Sequence, residues 1–391
     1  MTDPHFQSVL ILADESANWK IGGLRQLDRL LLALNELAIE NRYQEKIDIF
    51  IFWKPEIETS ARWLPSLPQL NRVQLTESPY SGSCILATCL FVARDGLAEF
   101  FRTTSVARFE GSNVELMSVW PQLSQRFDTA CRSAIGESWR FLNSTQDIWS
   151  SETQLLRRSG KSQDGPVARF VNRPISRAVT RLLLRFPITP TAWTISICVL
   201  PILSAVFVLH GSYASILIGT LLFHVHSVFD GCDGEIARAK YLESREGGRI
   251  DDLCDVFAAI IFVASLGLGI GRWLSPSSQF FPWAAEGLLC AALIATNEWL
   301  LRLPGAQSHV ASTVLASSLY PRHREVIQHS GLLVLGEKTV WWLLQLTKRD
   351  VGILFFVLLA LAGWPQWIIH SWLAVTVISL ALTISARLRS I

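Results

Sequence analysis

"VFDGCDGEIARAKYLESREGGRIDDLCDVF", Val228 to Phe257, lies between two strongly apolar runs, "SYASILIGTLLFHVHS" before it and "AAIIFVASLGLGI" after it. It sets Asp230, Asp233, Asp251 and Asp255 at the edges of segments built for lipid. A carboxylate at membrane depth is costly, so its default reading is a functional site with a counter-charge close by. Asp230 and Asp233 are spaced i, i+3 and Asp251 and Asp255 i, i+4, so each pair falls on one face of a helix. Two such faces at the ends of neighbouring spans bring four carboxylates around one point. They repel one another unless divalent cations neutralise them, and an all-oxygen donor set selects Mg²⁺ or Mn²⁺ over zinc. Asp252 points about 100° away around the same helix and reads as solvated.

The apolar runs extend well beyond this stretch. Half of the 391 residues are hydrophobic, a fraction that fits a membrane-embedded part beside a second domain. Spans long enough for the hydrocarbon core are expected at 192–210, 212–229, 253–273, 281–301, 351–369 and 372–386. That makes six, with the last one short and five the other count. Trp273, Trp283, Trp299, Trp364, Trp367 and Trp372 sit near span ends, as an interfacial belt requires. Lys and Arg gather before the first span, between 238 and 249, between 302 and 349, and in the tail at Arg387 and Arg389, whereas "HGS", "SPSSQ" and "GWPQW" have neither. The basic side is the cytosolic one, and with six spans both termini lie there. The stretch 166–186 carries Arg169, Arg173, Arg177, Arg181 and Arg185 at a spacing of four beside an apolar side, and reads as a basic amphipathic helix on an anionic membrane surface.

Residues 1–160 have a different character. "SVLILA" (8–13), "IDIFIFW" (47–53), "NRVQL" (71–75) and "CILATCLFVA" (84–93) read as strands, and Leu24, Leu27, Leu30, Leu31, Leu34 and Leu37 as one helical face. Alternating strands and helices predict an α/β domain on a mainly parallel sheet. The opening contains no basic stretch followed by a long apolar one, so no cleaved leader is expected and this domain stays in the cytosol. Seven cysteines form neither a CxxC pair nor a Cys/His ligand spacing and read as small buried hydrophobes. A net charge of +2 gives no argument for a nucleic-acid partner.

The order strand, loop, "IGGLRQLDRLLLAL" resembles the start of sugar-phosphate nucleotidyltransferases, whose first loop holds the nucleotide triphosphate through glycines and basic residues. Here the loop is Asp14-Glu15-Ser16-Ala17-Asn18-Trp19, with no glycine and two carboxylates. Backbone N–H groups cannot close on phosphate there, so the domain reads as a degenerate copy with a structural or regulatory role.

The central stretch, written Asp230-x2-Asp233-Gly234-x2-Ala237-Arg238-x8-Gly247-x3-Asp251-x3-Asp255, resembles at every defining position the signature of the CDP-alcohol phosphotransferases (CDP-alcohol phosphatidyltransferases), integral membrane enzymes with six spans. "NRPISR" and "ITPTAW" resemble the segment before the family's first span, with Thr191 where relatives often have Asn. The resemblance covers 165–391 and implies a fold of a transmembrane six-helix α bundle behind the α/β domain. It implies two Mg²⁺ (or Mn²⁺) ions held by Asp230, Asp233 and Asp251, with Asp255 at the edge of the cluster as general base. Gly234 and Gly247 let a nucleotide approach the backbone, Ala237 leaves room for it, and Arg238 pairs with phosphate. The implied reaction moves a phospho-alcohol group from a CDP-alcohol, CDP-diacylglycerol or a CDP-polyol, to a hydroxyl of a polyol or polyol-phosphate acceptor, and CMP leaves. Arg302, Lys348 and Arg349 are the candidates for the acceptor phosphate, Arg322 and Arg324 lie in the same basic segment, and a homodimer in membrane lipid is implied. A cytidylyltransferase fused ahead of such a domain occurs in enzymes of inositol type, so a bifunctional chain is one alternative. A membrane scaffold and an Asp-based metal transporter are the others. His224 and His226, inside the second span, read as core or headgroup-level histidines.

Overall fold

The computed structural model describes residues 7–41, 45–63, 65–78, 82–94, 96–104, 107–109, 120–131, 138–158, 160, 164–274, 280–303, 332–346 and 348–389. Two compact units emerge: Met1–Ser159 with Leu184–Pro187 and Arg238–Tyr241, and Gly160–Leu183 with Ile188–Ala237 and Leu242–Ile391.

In the first unit the strands β1 (Ser8–Ala13), β4 (Ile47–Trp53), β5 (Val73–Leu75) and β6 (Cys84–Ala87) form a parallel sheet in the order β5-β4-β1-β6. The pair β2 (Lys20–Ile21) and β3 (Leu24–Arg25) makes a small hairpin ahead of helix α1 (Gln26–Glu40). β1 is central, and its run Val9, Leu10, Ile11, Leu12 and Ala13 is buried throughout, as a strand covered on both faces must be. α1 buries Leu27, Leu30, Leu31, Leu34 and Leu37 as the spacing predicts, while Leu24 belongs to β3. The fourth expected strand is two: after β6 the chain turns and β7 (Leu90–Val92) pairs antiparallel with β8 (Trp139–Phe141) in a separate sheet. Apolarity is continuous across that turn, so the sequence carries no signal for the break. Helices α2 (Gly96–Thr103), α3 (Trp120–Cys131) and α4 (Asp147–Arg158) complete this unit. The loop after β1 is a 3-10 turn, Glu15–Asn18, capped by Asp14. The Asp14 carboxylate accepts from Ser16 N at 2.8 Å and from the Thr88 hydroxyl at 3.0 Å, so the loop closes on its own side chains.

The second unit is helical. A π-helical turn, Ala168–Asn172, leads into α5 (Arg173–Leu183). The bundle follows as α6 (Pro190–Ile197), α7 (Val199–Leu209), α8 (Tyr213–Lys240), α9 (Arg245–Leu274), α10 (Phe280–Arg302), α11 (Glu337–Leu346), α12 (Arg349–Leu361) and α13 (Gln366–Arg389). Five helices among the described residues are long and apolar enough to cross a membrane: Pro190–Leu209, which runs through α6 and α7, then Tyr213–Lys240, Arg245–Leu274, Phe281–Arg302 and Gln366–Leu388. The expected span at 351–369 is interrupted. α12 stops at Leu361, Gly363 takes a φ of +83°, and Pro365 precedes α13. A left-handed glycine followed by proline is a helix stop, and it divides one apolar run between two helices. The last predicted span, by contrast, lies inside the 24 residues of α13.

Aromatic rings fill the centre of the bundle. Phe223 of α8 stacks on Phe262 of α9 at 4.2 Å between ring centres, and Trp372 of α13 closes on both and on Phe356 of α12. The basic helix differs from expectation. Its buried side is polar, with Asn172, Arg173, Ser176 and Thr180, and its exposed side shows Phe170, Val171, Ile175 and Leu182. Arginines four apart drift about 40° per step on a helix of 100° per residue, so the series from Arg169 to Arg185 cannot share one face.

Candidate active site

The site is built on two helices joined by the short turn at 241–244, where Tyr241 adopts a φ of 56°. Ser244 caps α9, its hydroxyl accepting from Gly247 N at 3.0 Å, and that cap fixes the first turn from which Asp251 and Asp255 are counted. On α8, His226, Asp230 and Asp233 are spaced i, i+4, i+7 and make one stripe. The two stripes meet. Carboxylate oxygens of Asp230, Asp233 and Asp251 lie within 4.8 Å of one another, and a second group joins Asp230, Asp255 and a ring nitrogen of His226 at the same limit. Asp230 belongs to both.

Oδ1 of Asp251 and Oδ1 of Asp255 are buried and accept no hydrogen bond. Buried carboxylate oxygens without a donor are unfavourable unless a cation supplies what the protein does not, so these residues fit a divalent metal held mainly by oxygen. The other carboxylate contacts hold the cluster in place. The Thr194 hydroxyl, one turn into α6, donates to Asp233 Oδ2 at 2.6 Å. Arg349, at the start of α12, pairs with Asp255 Oδ2. Glu235, inside the signature, is fully buried and points away from the cluster's chemistry: Arg173 reaches it at 3.1 Å, Ser176 at 2.8 Å and Thr180 at 2.7 Å.

The sequence-predicted residues distribute as follows. Asp230, Asp233, Asp251 and Asp255 come together, and Gly234, Ala237 and Arg238 follow along the same helix, with Ala237 buried. At Gly247 an added Cβ would meet Ser244 Oγ at 3.0 Å and Thr191 Oγ1 at 3.6 Å, whereas at Gly248 it would meet nothing within 4 Å. Space is therefore tight at Gly247 and open at Gly248. Arg349 touches the cluster through Asp255, and Lys348 is half-buried beside it as the N-cap of α12. Arg302 is exposed at the end of α10 and forms no ion pair with the aspartates. Arg322 and Arg324 lie outside the described residues. Asp252 is half-buried, not solvated, and is absent from both groups. Sequence reasoning missed Thr194 and His226. The first meets Asp233 only through the fold and carries no local signal, whereas the second is one turn before Asp230, a spacing that was available to be read.

The Thr194 bond makes a direct prediction. Thr194→Val keeps the side chain's shape and removes its hydroxyl, and Mn²⁺ affinity of the purified protein is expected to fall by roughly tenfold, the lower end of what loss of a supporting hydrogen bond costs a metal site. Thr194→Ser should restore most of it. Unchanged affinity in the valine variant would remove Thr194 from the site.

Comparison with known proteins gives a family match over the helical unit: residues 188–384 fit the family described as CDP-alcohol phosphatidyltransferase. Among similar proteins, one from Aquifex aeolicus named "Bifunctional IPC transferase and DIPP synthase" is 25% identical over 244 residues, 62% of this chain and 49% of its own length. A protein of the same name from Rubrobacter xylanophilus is 34% identical over 194 residues, 48% of this chain and 43% of its own. A third, from Archaeoglobus fulgidus, is 32% identical over 134 residues, 34% of this chain and 26% of its own. The chain thus spans about half or less of the length of these relatives.

Proposed function

The chain belongs to the CDP-alcohol phosphatidyltransferase family, and from that premise we propose that it transfers a phospho-alcohol group from a CDP-alcohol to an acceptor hydroxyl with release of CMP. The observation that carries this reading is the meeting of Asp230, Asp233, Asp251 and Asp255 from two neighbouring helices, with buried carboxylate oxygens on Asp251 and Asp255 that no donor satisfies. A transporter reading fits less well, because the carboxylates lie on two unbroken helices and are followed by Arg238 and a close-approach glycine suited to phosphate, whereas a transport site is expected at a helix break in mid-membrane.

In the proposed mechanism Asp230, Asp233, Asp251 and Asp255 would hold two Mg²⁺ or Mn²⁺ ions. Such ions, when bound, offset the charge of the diphosphate and of departing CMP. The protein's own residues do the rest. Gly247, where the space is tight, and Ala237 let the nucleotide lie against α8 and α9, and Gly234 and Arg238 meet its phosphates. Lys348 and Arg349 receive the acceptor phosphate, with Arg302 a more distant contributor. Arg349 leaves Asp255 to do so, and Asp255 then accepts the proton of the acceptor hydroxyl. The freed oxygen bonds to the phosphorus that carries the donor alcohol, the bond from that phosphorus to the bridging oxygen breaks, and CMP takes the electron pair.

The donor is a CDP-polyol and the acceptor a polyol phosphate, a choice of acceptor that the cationic pair Lys348–Arg349 favours. The α/β domain, 1–160, is a nucleotidyltransferase-like copy without that activity, since Asp14 occupies its own loop where phosphate would need backbone N–H groups. The membrane domain, 165–391, works as a six-helix bundle in which α12 is a short sixth member, dimerises within the lipid, and keeps the site and the α/β domain on the cytosolic side.

CMP release by the purified protein in detergent tests this. CDP-inositol and CDP-diacylglycerol are offered with inositol, inositol phosphate, glycerol phosphate and serine. Release is expected with CDP-inositol and inositol phosphate, lost on chelation, and no pyrophosphate is expected from CTP with inositol phosphate. Release only from CDP-diacylglycerol would move the donor assignment to the lipid. Pyrophosphate from CTP would establish the bifunctional alternative, and silence of the folded protein throughout would leave a scaffold.

A further inference from the structure

His226 is 1% exposed, and its Nδ1 is buried without a hydrogen-bond partner. An imidazole kept from water normally satisfies its ring nitrogens on neighbours, so a free nitrogen inside a bundle calls for a ligand. One of its ring nitrogens is within 4.8 Å of carboxylate oxygens of both Asp230 and Asp255. Asp255 keeps a buried oxygen, Oδ1, without a donor, while Arg349 pairs with Oδ2. Phe223, one turn earlier, lies near-parallel to the imidazole at 6.4 Å between ring centres. His224 provides a contrast within the same span. It too has a buried Nδ1 without a partner, yet it is half-buried and belongs to neither ligand group.

We propose that His226, with Asp230 and Asp255, supplies a nitrogen ligand to one cation position of the carboxylate cluster, and that this position takes a first-row transition cation such as Mn²⁺ in preference to Mg²⁺. The inference rests on the proposed metal-holding role of the aspartates and adds to it. Mg²⁺ is a hard cation that keeps oxygen and water around it, and an imidazole in place of a water weakens its hold. Mn²⁺ accepts imidazole beside carboxylate, so one nitrogen tilts the selection without excluding either ion. The cluster then consists of unlike halves: an all-oxygen position at Asp230, Asp233 and Asp251, and a mixed position at Asp230, Asp255 and His226.

Electron-spin-echo modulation on Mn²⁺ bound to the full chain in detergent tests this without any turnover. Metal is removed by chelation, Mn²⁺ is titrated back, and Mg²⁺ competition gives the relative affinity. The wild type is expected to show ¹⁴N modulation from a directly bound imidazole, unchanged in His224→Asn and absent in His226→Asn. The preference for Mn²⁺ over Mg²⁺ is expected to fall at least tenfold in His226→Asn. Mn²⁺ bound saturably with no nitrogen modulation in the wild type overturns the role of His226 and leaves the carboxylate site standing. No saturable Mn²⁺ at all overturns both. Nitrogen modulation that survives in His226→Asn and vanishes in His224→Asn assigns the ligand to the wrong histidine and sinks the proposal. The wild-type spectrum and the His224 variant decide the matter even where His226→Asn does not fold.

Discussion

Asp255→Asn is expected to lower CMP release on the order of a thousandfold, the range a positioned general base contributes, while the protein remains folded and still binds its CDP-alcohol. The amide keeps the shape of the side chain and one oxygen for the cluster. It cannot accept the acceptor's proton. The Arg349 contact sharpens the test, because in this state Asp255 is paired with a guanidinium and a paired carboxylate is a poor base. Removing the arginine should therefore act differently from removing the aspartate: Arg349→Ala raises the KM for a phosphorylated acceptor much more than it lowers kcat, and a non-phosphorylated acceptor feels it less. Asp255→Asn lowers kcat for every acceptor and leaves the donor's Kd within about threefold. Full turnover in the asparagine variant would displace Asp255 as the base. A loss of donor binding equal to the loss of rate would make it a ligand only.

How much of this was legible in the sequence follows from what each signal encodes. The four aspartates were, because helical spacing and the cost of charge in lipid both act on single residues and their near neighbours. β1, β4 and the buried face of α1 were legible for the same reason, since their patterns repeat over six or more residues. Features that depend on a partner far along the chain were not. Thr194 meets Asp233 across 39 positions and Arg349 meets Asp255 across almost a hundred, and neither carries a local mark of its partner. His226 was read as core because a lone histidine has no ligand spacing, yet it lies four residues from Asp230 and the periodicity that found the aspartates would have included it. The span at 351–369 failed through composition alone: tryptophan and isoleucine around Gly363 and Pro365 keep the mean apolar while the two backbone residues end the helix.

Arg173 shows the same limit at larger energetic cost, and its replacement by alanine is expected to destabilise the helical unit by about 3–5 kcal/mol, the range found when one partner of a buried ion pair is deleted. Its side chain is 9% exposed and serves two carboxylates at once, Asp164 through two hydrogen bonds of 2.9 Å and Glu235, 0% exposed, at 3.1 Å. Without it Glu235 keeps the hydroxyls of Ser176 and Thr180 but no positive charge, inside a bundle where water cannot replace the guanidinium. Gly231 belongs to the same arrangement: its carbonyl accepts from Arg173 Nη1 at 3.2 Å, and an added Cβ would stand 2.9 Å from that nitrogen. The brace thus ties α5 to the segment of α8 that runs from Asp230 to Arg238, which sets the rotation at which Asp230 and Asp233 face α9. Thermal unfolding in detergent should place Arg173→Ala far below the wild type and the double variant Arg173→Met with Glu235→Gln well above the single one, since removing both charges removes the buried anion. A single variant as stable as the wild type would mean that water reaches Glu235. A double variant no better than the single would mean that the loss is one of packing, and that α8 takes its rotation from the aromatic core around Phe223 and Phe262 instead.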